Sequence, residues 1–124
     1  MHDILIRVVD DDEAGRESLA ALLGGVGFSV AVYRSGEEFL AAFDPALRGC
    51  VLLDIHLPGL TGLEVGAIVN QSAPGFPVIF ISGRMNNIIR AKAAEAGALA
   101  FAKPVPDEML IAAIERAVVG AGAH

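Results

Sequence analysis

Cysteine and long apolar runs are scarce in this sequence of 124 residues. The single cysteine, Cys50, excludes an internal disulfide and fits a reducing compartment. No apolar stretch approaches the roughly 18 residues that a membrane span needs. Asp3 and Arg7 also interrupt the N-terminal segment, where a signal peptide needs an unbroken apolar core. We therefore expect a cytoplasmic protein with no membrane partner.

Basic residues are also few. Nine Lys and Arg residues stand against 15 Asp and Glu residues, for a formal net charge of −6. This balance disfavours a surface that follows a phosphate backbone, so we expect no direct nucleic-acid binding by this chain. Hydrophobic residues make up 54% and charged residues 19%, which is too apolar for a disordered chain, and the length fits one domain.

Apolar runs of strand length alternate with segments of helical period along the whole chain, which predicts βαβ units and a parallel sheet. The predicted strands span residues 4–9, 29–34, 50–55, 78–82 and 99–103. The predicted helices span residues 13–24, 37–43, 61–72, 86–96 and 106–119. Several strands are apolar on both faces, as is typical of strands that helices cover on each side. Five such units predict a single α/β domain over residues 1–124, with its core at 4–119 and a doubly wound sheet of five parallel strands.

Polar side chains lie at the carboxyl ends of four of the five predicted strands. They are Asp10 and Asp11 directly after the first strand, Asp54 at the end of the third, Ser82 at the end of the fourth and Lys103 at the end of the fifth. Open sheets of this kind bind ligands at the carboxyl ends of their strands. We therefore expect these five side chains to converge at one edge of the sheet.

The carboxylates at that edge indicate a hard divalent cation. Like charges this close are unfavourable unless one is protonated or a cation lies between them. Only oxygen ligands are available, with no Cys or His cluster, so we expect Mg²⁺, or Mn²⁺ in its place, and not Zn²⁺. The alternative is that Asp11, Asp12 and Glu13 only stabilise the N-terminus of the first helix through its dipole. That alternative explains Asp12 and Glu13 but not the polar ends of three other strands.

Asp54 is the candidate nucleophile. It ends an apolar strand, and a carboxylate held beside a cation can attack phosphorus to give an aspartyl phosphate. Lys103 is placed to neutralise the transferred oxygens, and Ser82 to donate one hydrogen bond to them. Considered alone, each residue has a purely structural explanation. Lys103 would be an ion-pair partner of Asp54, and Ser82 would form a turn at the end of a strand. The combination of these residues with the acidic pair favours a site.

Four short motifs, in this order and at these separations, indicate a family resemblance. They are Asp10-Asp11, Asp54 with Leu57-Pro58-Gly59 and Gly62, Ser82-Gly83, and Lys103-Pro104 after Gly97-Ala98. From about Ile4 to Val119 the chain resembles the receiver domain of two-component response regulators, and most of all receivers of the nitrogen-fixation regulator type. The resemblance implies a flavodoxin-like fold and a cis bond between Lys103 and Pro104.

The resemblance also implies a reaction. A sensor histidine kinase or a phosphotransfer protein would pass a phosphoryl group from phosphohistidine to Asp54, and the chain would catalyse only its own phosphorylation and dephosphorylation. Asp11, Asp54 and the main-chain carbonyl of His56 would bind Mg²⁺, and Asp10 would reach it through water. Ser82 and Lys103 would hold the phosphoryl oxygens. Phosphorylation would then signal to an output domain or a partner, or promote a homodimer.

Three alternative functions compete with this one. A small phosphatase with an aspartate nucleophile would need a second acid two residues after Asp54, where His56 stands. A mononucleotide binder would need Ser, Thr and Gly in the first loop, whereas Asp10 to Glu13 would repel phosphate. A receiver-like interaction module that is never phosphorylated is the third alternative, and the intact acidic set argues against it.

One position departs from the family pattern. Receivers usually carry a switch aromatic three residues before the lysine, but here Ala100 stands there and Phe101 precedes Lys103 by only two residues. Residues two apart in a strand share a face and residues three apart do not. A deletion in the turn after Gly97 puts Ala100 at the switch position, whereas a strand bulge leaves Phe101 there. We favour the turn deletion, because a shortened loop disturbs the site less than a distorted strand.

Overall fold

The computed structural model describes residues 4–122 as five strands and five helices in strict alternation. The strands are β1 (Leu5–Val9), β2 (Ser29–Tyr33), β3 (Gly49–Asp54), β4 (Val78–Ser82) and β5 (Leu99–Ala102). The helices are α1 (Glu13–Val26), α2 (Gly36–Ala42), α3 (Gly62–Ser72), α4 (Asn87–Glu95) and α5 (Asp107–Gly122). Neighbouring strands all pair in parallel, in the order β2-β1-β3-β4-β5. The predicted fold is confirmed, while positions 1–3 and 123–124 of the predicted domain lie outside the described residues.

Apolar side chains fill both faces of the sheet. One core cluster lies under α1 and α5 and includes Ile6, Leu52 and Ile114. The other lies under α2, α3 and α4 and includes Phe39 and Leu53. Because successive side chains of a strand point to opposite faces, the central strands supply both clusters and read as continuous apolar runs. The two cores fix the carboxyl ends of β1, β3 and β4 beside one another.

Polar side chains cap the N-termini of four helices. Asp12, Ser35, Thr61 and Asn86 each accept a hydrogen bond from the backbone N–H three residues later. At α3, the carboxylate of Glu64 also accepts the backbone N–H of Thr61, which completes a capping box. Such caps satisfy N–H groups that have no partner inside the helix. They define where each chain segment turns from its preceding loop into the helix.

Helix α1 runs past its predicted end. Gly24 and Gly25 favoured a stop at Gly24, but the helix continues to Val26, and Gly27 adopts the left-handed conformation with φ 113°. The prediction was wrong because a glycine weakens a helix by only about 1 kcal/mol, which the packing of the helix outweighs. Helix α5 likewise extends past Val119 to Gly122. The other predicted ends of helices and strands agree to within one residue.

An arginine is buried in β1, which the apolar pattern of that strand does not indicate. Arg7 is 2% exposed and donates hydrogen bonds to the carbonyl oxygens of Asp44 and Leu47 at 2.8 and 2.9 Å. Its guanidinium lies over the rings of Phe43 and Phe76, 5.6 and 5.0 Å from their centroids. Burial lowers the pKa of Arg7. The side chain ties the loop between α2 and β3 to the sheet, near the amino ends of the strands.

Cys50 is fully buried in β3, and burial raises the pKa of its thiol to about 12. The thiol is therefore protonated at neutral pH and shielded from reagents.

Between residues 4 and 122, no helix is both long and apolar enough to cross a membrane.

Candidate functional site

Three carboxylates meet at the carboxyl edge of the sheet. Asp10 and Asp11 directly follow β1, and Asp54 is the last residue of the neighbouring strand β3. One oxygen from each side chain lies within 4.8 Å of the other two. Asp10 is buried, Asp54 is partly buried and Asp11 is exposed. The structure thus brings together the three acids that the strand pattern predicts to meet.

Lys103 bridges two of these carboxylates. Its Nζ donates to Oδ2 of Asp10 at 3.0 Å and to Oδ2 of Asp54 at 3.2 Å. Partial burial of Lys103 lowers its pKa, but the contacts with Asp10 and Asp54 outweigh this and raise the pKa overall. The ammonium group stays charged at neutral pH and offsets part of the repulsion among the acids. The bond from Lys103 to Pro104 is cis.

The remaining oxygens of the two bridged carboxylates also have partners. Oδ1 of Asp10 accepts the backbone N–H of Asp12 at 3.0 Å, and Oδ1 of Asp54 accepts the backbone N–H of His56 at 3.1 Å. Both carboxylates are therefore held in one orientation before any ligand arrives. The carboxylate of Asp12 caps α1 instead, by accepting the N–H of Gly15 at 3.1 Å.

Ser82 lies at the end of β4, on the same edge of the sheet. Its carbonyl oxygen accepts the backbone N–H of Lys103 at 2.9 Å, so strand pairing continues up to the lysine. The hydroxyl of Ser82 is fully buried and its Oγ accepts the backbone N–H of Arg84 at 3.0 Å. The side chains of His56 and Arg84 are exposed. Ser82 is thus beside the acidic cluster, with its hydroxyl engaged in its own turn.

The loop after Asp54 lies tightly against β3. The N–H of Gly62 donates to the carbonyl oxygen of Ile55 at 2.9 Å, and a Cβ at Gly62 would overlap the carbonyl oxygen of Asp54. Only glycine therefore lets α3 begin at this position. From α2, the carboxylate of Glu37 accepts the backbone N–H of Leu60 at 3.2 Å. Nothing in the sequence marked Glu37, because an acidic residue in the first turn of a helix is ordinary.

Arg16 is a second residue that the sequence analysis missed. It is only 9% exposed, and its guanidinium donates to the carbonyl oxygen of Asp10 at 2.7 Å. Basic residues of amphipathic helices usually lie on the solvated face. The available signal was spacing, because Arg16 precedes Leu19 by three residues and Leu23 by seven, which places it on the apolar side of α1.

Ala100 and Phe101 lie on opposite faces of β5. Ala100 packs against the core cluster under α2, α3 and α4, and Phe101 packs against the cluster under α1 and α5. The register is regular, with Phe80 opposite Ala100 and Ile81 opposite Phe101. Lys103 still reaches Asp54, and Ala100 lies on the face of β5 that α4 covers.

The carboxylate cluster fits a hard divalent cation. Its three donors are all oxygens, which Mg²⁺ and Mn²⁺ prefer over the nitrogen and sulfur ligands typical of Zn²⁺. The exposed side chain of Asp11 leaves one side of the cluster open to solvent. An open site of this kind suits a cation that keeps several waters and exchanges quickly.

Comparison with known proteins agrees with this geometry. Residues 6–115 match the family model of the response regulator receiver domain. The transcriptional regulatory protein FixJ of Azorhizobium caulinodans is 39% identical over 120 residues, covering 96% of this chain and 56% of FixJ. The response regulator protein TodT of Pseudomonas putida is 36% identical over 115 residues, covering 92% of this chain and 51% of TodT. The chain therefore spans about half the length of these curated relatives.

Solved structures show the same likeness over whole receiver domains. A response regulator receiver domain protein from Clostridium thermocellum superimposes with a TM-score of 0.91 at 25% identity, covering 97% of this chain and 98% of that protein. The BeF₃-activated DrrB receiver domain superimposes with a TM-score of 0.84 at 30% identity, covering 96% and 99%. The resemblance to receivers of the nitrogen-fixation type is confirmed by the FixJ match. This chain belongs to the response regulator receiver domain family.

Proposed function

We propose that Asp54 is the phosphoacceptor of a two-component phosphorelay. The donor is the phosphohistidine of a sensor histidine kinase or of a phosphotransfer protein. The observation that carries this proposal is the position of Lys103, whose Nζ lies within 3.2 Å of both Asp54 and Asp10 while Asp11 completes the acidic cluster. Asp54 thus lies between an ammonium group that can neutralise an incoming phosphoryl group and two further acids that can hold a divalent cation beside it.

The reaction is a phosphoryl transfer between two side chains. A carboxylate oxygen of Asp54 attacks phosphorus and forms an O–P bond, while the N–P bond to the donor histidine breaks and its electron pair stays on the imidazole nitrogen. A carboxylate nucleophile carries no proton that must be removed, so the attack needs no general base. Its orientation is set in advance by the N–H of His56 and by Lys103. The chemistry is confined to the chain's own Asp54, so the protein is a signalling module and not an enzyme with a separate substrate.

Asp11, Asp54 and the main-chain carbonyl of His56 would hold Mg²⁺, with Asp10 reaching it through water. Mn²⁺ suits the same oxygen donors. When bound, the cation supplies positive charge that neutralises the phosphoryl oxygens during transfer. Asp10 contributes by holding Lys103 in place, since the ammonium group shares its hydrogen bonds between Asp10 and Asp54.

Lys103 and Ser82 would bind the transferred group. An ammonium group has three N–H donors, and in the described part of the chain two of them are used by Asp10 and Asp54, so the third can donate to a phosphoryl oxygen. Ser82 keeps its hydroxyl hydrogen available to donate, because Oγ only accepts in its bond with Arg84, and we propose that the side chain rotates to bring this hydrogen to a phosphoryl oxygen. Recruitment of Ser82 is therefore a structural change that depends on phosphorylation, and it can be relayed to an output domain or partner.

Intact-mass measurement with a small phosphodonor tests the proposal. Acetyl phosphate and Mg²⁺ are expected to add one phosphoryl group to the wild type and none to Asp54→Asn. Asp44→Asn is the matched control, because Asp44 is exposed in the loop that precedes β3, at the amino ends of the strands and not at the carboxyl edge. It should be modified like the wild type. An adduct of equal yield on Asp54→Asn would place the chemistry on another residue.

A further inference from the structure

Two buried arginines contact the backbone around β1, at opposite edges of the sheet. Arg7 lies towards the amino ends of the strands and donates to the carbonyl oxygens of Asp44 and Leu47. Arg16 lies towards the carboxyl ends and donates to the carbonyl oxygen of Asp10 at 2.7 Å. Both side chains are at least nine-tenths buried, at 2% and 9% exposure. They are similar in chemistry, and only Arg16 touches the acidic cluster.

The carbonyl that Arg16 binds belongs to the peptide unit that joins Asp10 to Asp11. The six atoms of a peptide unit are coplanar, so an oxygen held in place also restrains the Cα atoms on both sides. On one side is the carboxylate that contacts Lys103, and on the other is the exposed acid of the cluster. A charge-assisted hydrogen bond is short and about twice as strong as a neutral one, which suits it to this task.

We infer that Arg16 is a positioning residue of the phosphorylation site. It orients the peptide between Asp10 and Asp11, and through it the directions in which both carboxylates point. This inference rests on the proposed function, which assigns those carboxylates to the cation and to Lys103. Arg16 itself touches neither the phosphoryl group nor the cation.

Charge and geometry give opposite expectations for this residue. If Arg16 acted only as a nearby positive charge, its removal would strengthen Mg²⁺ binding, because one repulsive cation would be gone. If it acts by holding the peptide, its removal weakens Mg²⁺ binding, because the two acids no longer converge before the cation arrives. Loss of a group that orients metal ligands typically lowers metal affinity by about tenfold or more. The sign of the change therefore separates the two explanations.

The test compares Arg16→Met and Arg16→Lys with Arg7→Met and Arg7→Lys. Mg²⁺ is titrated into each protein, and its Kd is measured from backbone amide NMR shifts. Arg16→Met is expected to raise the Kd by about tenfold. Arg16→Lys, which keeps the charge but has no planar fork, should give a smaller increase. The Arg7 variants lose comparable buried hydrogen bonds at the far edge of the sheet and should keep the Kd of the wild type.

Lysine side-chain NMR gives a second readout that needs neither Mg²⁺ nor phosphorylation. The sequence contains only two lysines, Lys92 and Lys103, so the spectrum of the ammonium groups is simple. Arg16→Met should shift the Lys103 signal, because Asp10 moves relative to it. The exposed Lys92 on α4 serves as an internal reference and should not shift. The Arg7 variants should leave both signals in place.

Each outcome decides the inference. An unchanged or lower Kd in Arg16→Met overturns it, and so does an equal increase in Arg7→Met. If Arg16→Met does not fold, Arg16→Lys is compared with Arg7→Lys, and equal Kd values overturn the inference. If the wild type takes no phosphoryl group while Arg16→Met still weakens Mg²⁺ binding, the proposed function fails and the role of Arg16 in placing the acids stands.

Discussion

Phe80 and Ala100 are register partners on β4 and β5 and share the face of the sheet that α3 and α4 cover. The Phe80 ring lies against α3 at Gly66, where an added Cβ would be only 2.6 Å from the ring. The next residue of β5, Phe101, packs on the opposite face. The aromatic ring that faces α3 and α4 is therefore that of Phe80 on the inner strand β4. The edge strand β5 has only the methyl group of Ala100 at the position three residues before Lys103.

Phe101→Ala is expected to cost stability without altering the response to phosphorylation. The ring is half-buried, so we expect a loss of about 1–3 kcal/mol, below the range for a fully buried Phe. Because the ring faces away from α4, beryllofluoride should change the NMR signals of α4 equally in the variant and the wild type. Urea unfolding measures the stability. Loss of the beryllofluoride response in α4 would instead identify Phe101 as the switch residue.

The order of elements was predictable because each strand is an apolar run and each helix has its own cap or stop. Apolar periodicity together with these cap and stop residues placed most ends within one residue. The sequence could not show that α1 continues through Gly24 and Gly25, since a weak propensity is decided by packing that only the fold reveals. Nor could it show that Arg7 is buried, since two of its three carbonyl partners lie 37 and 40 residues away in the chain.

Two glycine substitutions should change stability in opposite directions. Gly25→Ala lies inside α1 with no atom within 4 Å of the new Cβ, so it is expected to stabilise the protein by about 0.5–1 kcal/mol. Gly62→Ala forces a Cβ into the carbonyl of Asp54 and should destabilise it by at least about 1–3 kcal/mol. Urea unfolding of both variants gives the two values. A neutral Gly62→Ala would mean that the loop after Asp54 adapts easily.

The candidate site was predictable to the extent that it follows from topology. Parallel strands deliver their last residues to one edge, so Asp10, Asp54 and Lys103 had to meet if the strands were assigned correctly. The sequence could not show how deeply each side chain is buried or which atoms it hydrogen-bonds. The hydroxyl of Ser82 is buried in its own turn, and Arg16 reaches the backbone of Asp10 from the apolar side of α1. Spacing indicates that Arg16 lies on the apolar side of α1, but it does not show which atoms Arg16 and Ser82 contact.

Lys103→Met should abolish efficient phosphorylation and lower stability. The variant leaves the buried carboxylate of Asp10 without its ammonium partner, which costs about 1–3 kcal/mol. It also removes the donor proposed for the phosphoryl oxygen, and loss of such a donor slows a reaction by about 100-fold or more. The rate of phosphoryl addition from acetyl phosphate is followed by intact mass. Lys92→Met, at an exposed position of α4, should react like the wild type. A fast Lys103→Met would remove the lysine from the mechanism.

Phosphorylation is expected to promote self-association through α4, β5 and α5. Ile88 on α4 and Leu99 on β5 are large apolar residues at 68% and 47% exposure. Helix α4 also carries exposed charges of both signs, at Arg90, Lys92 and Glu95. A surface with both properties can pair with its own copy about a two-fold axis. Sedimentation should show a larger mass with beryllofluoride, and Ile88→Lys should suppress it. Val32→Lys, on the opposite edge of the sheet, is the control. Equal masses with and without beryllofluoride would contradict the expectation.

Asp11→Asn should raise the Tm of the metal-free protein and remove the stabilisation by Mg²⁺. In the absence of a cation, three carboxylates with oxygens within 4.8 Å of one another repel, and only Asp10 and Asp54 contact Lys103. Neutralising Asp11 relieves this repulsion and deletes a ligand that holds the cation to the folded state.

Glu13→Gln is the matched control, since Glu13 is an exposed acid in the first turn of α1. It should lower the Tm slightly, because a negative charge there stabilises the helix dipole, and it should keep the full increase with Mg²⁺. Calorimetry of the three proteins with and without Mg²⁺ measures both quantities. A wild-type Tm that does not respond to Mg²⁺, or an equal response in Asp11→Asn, would show that the acidic cluster is not the cation site.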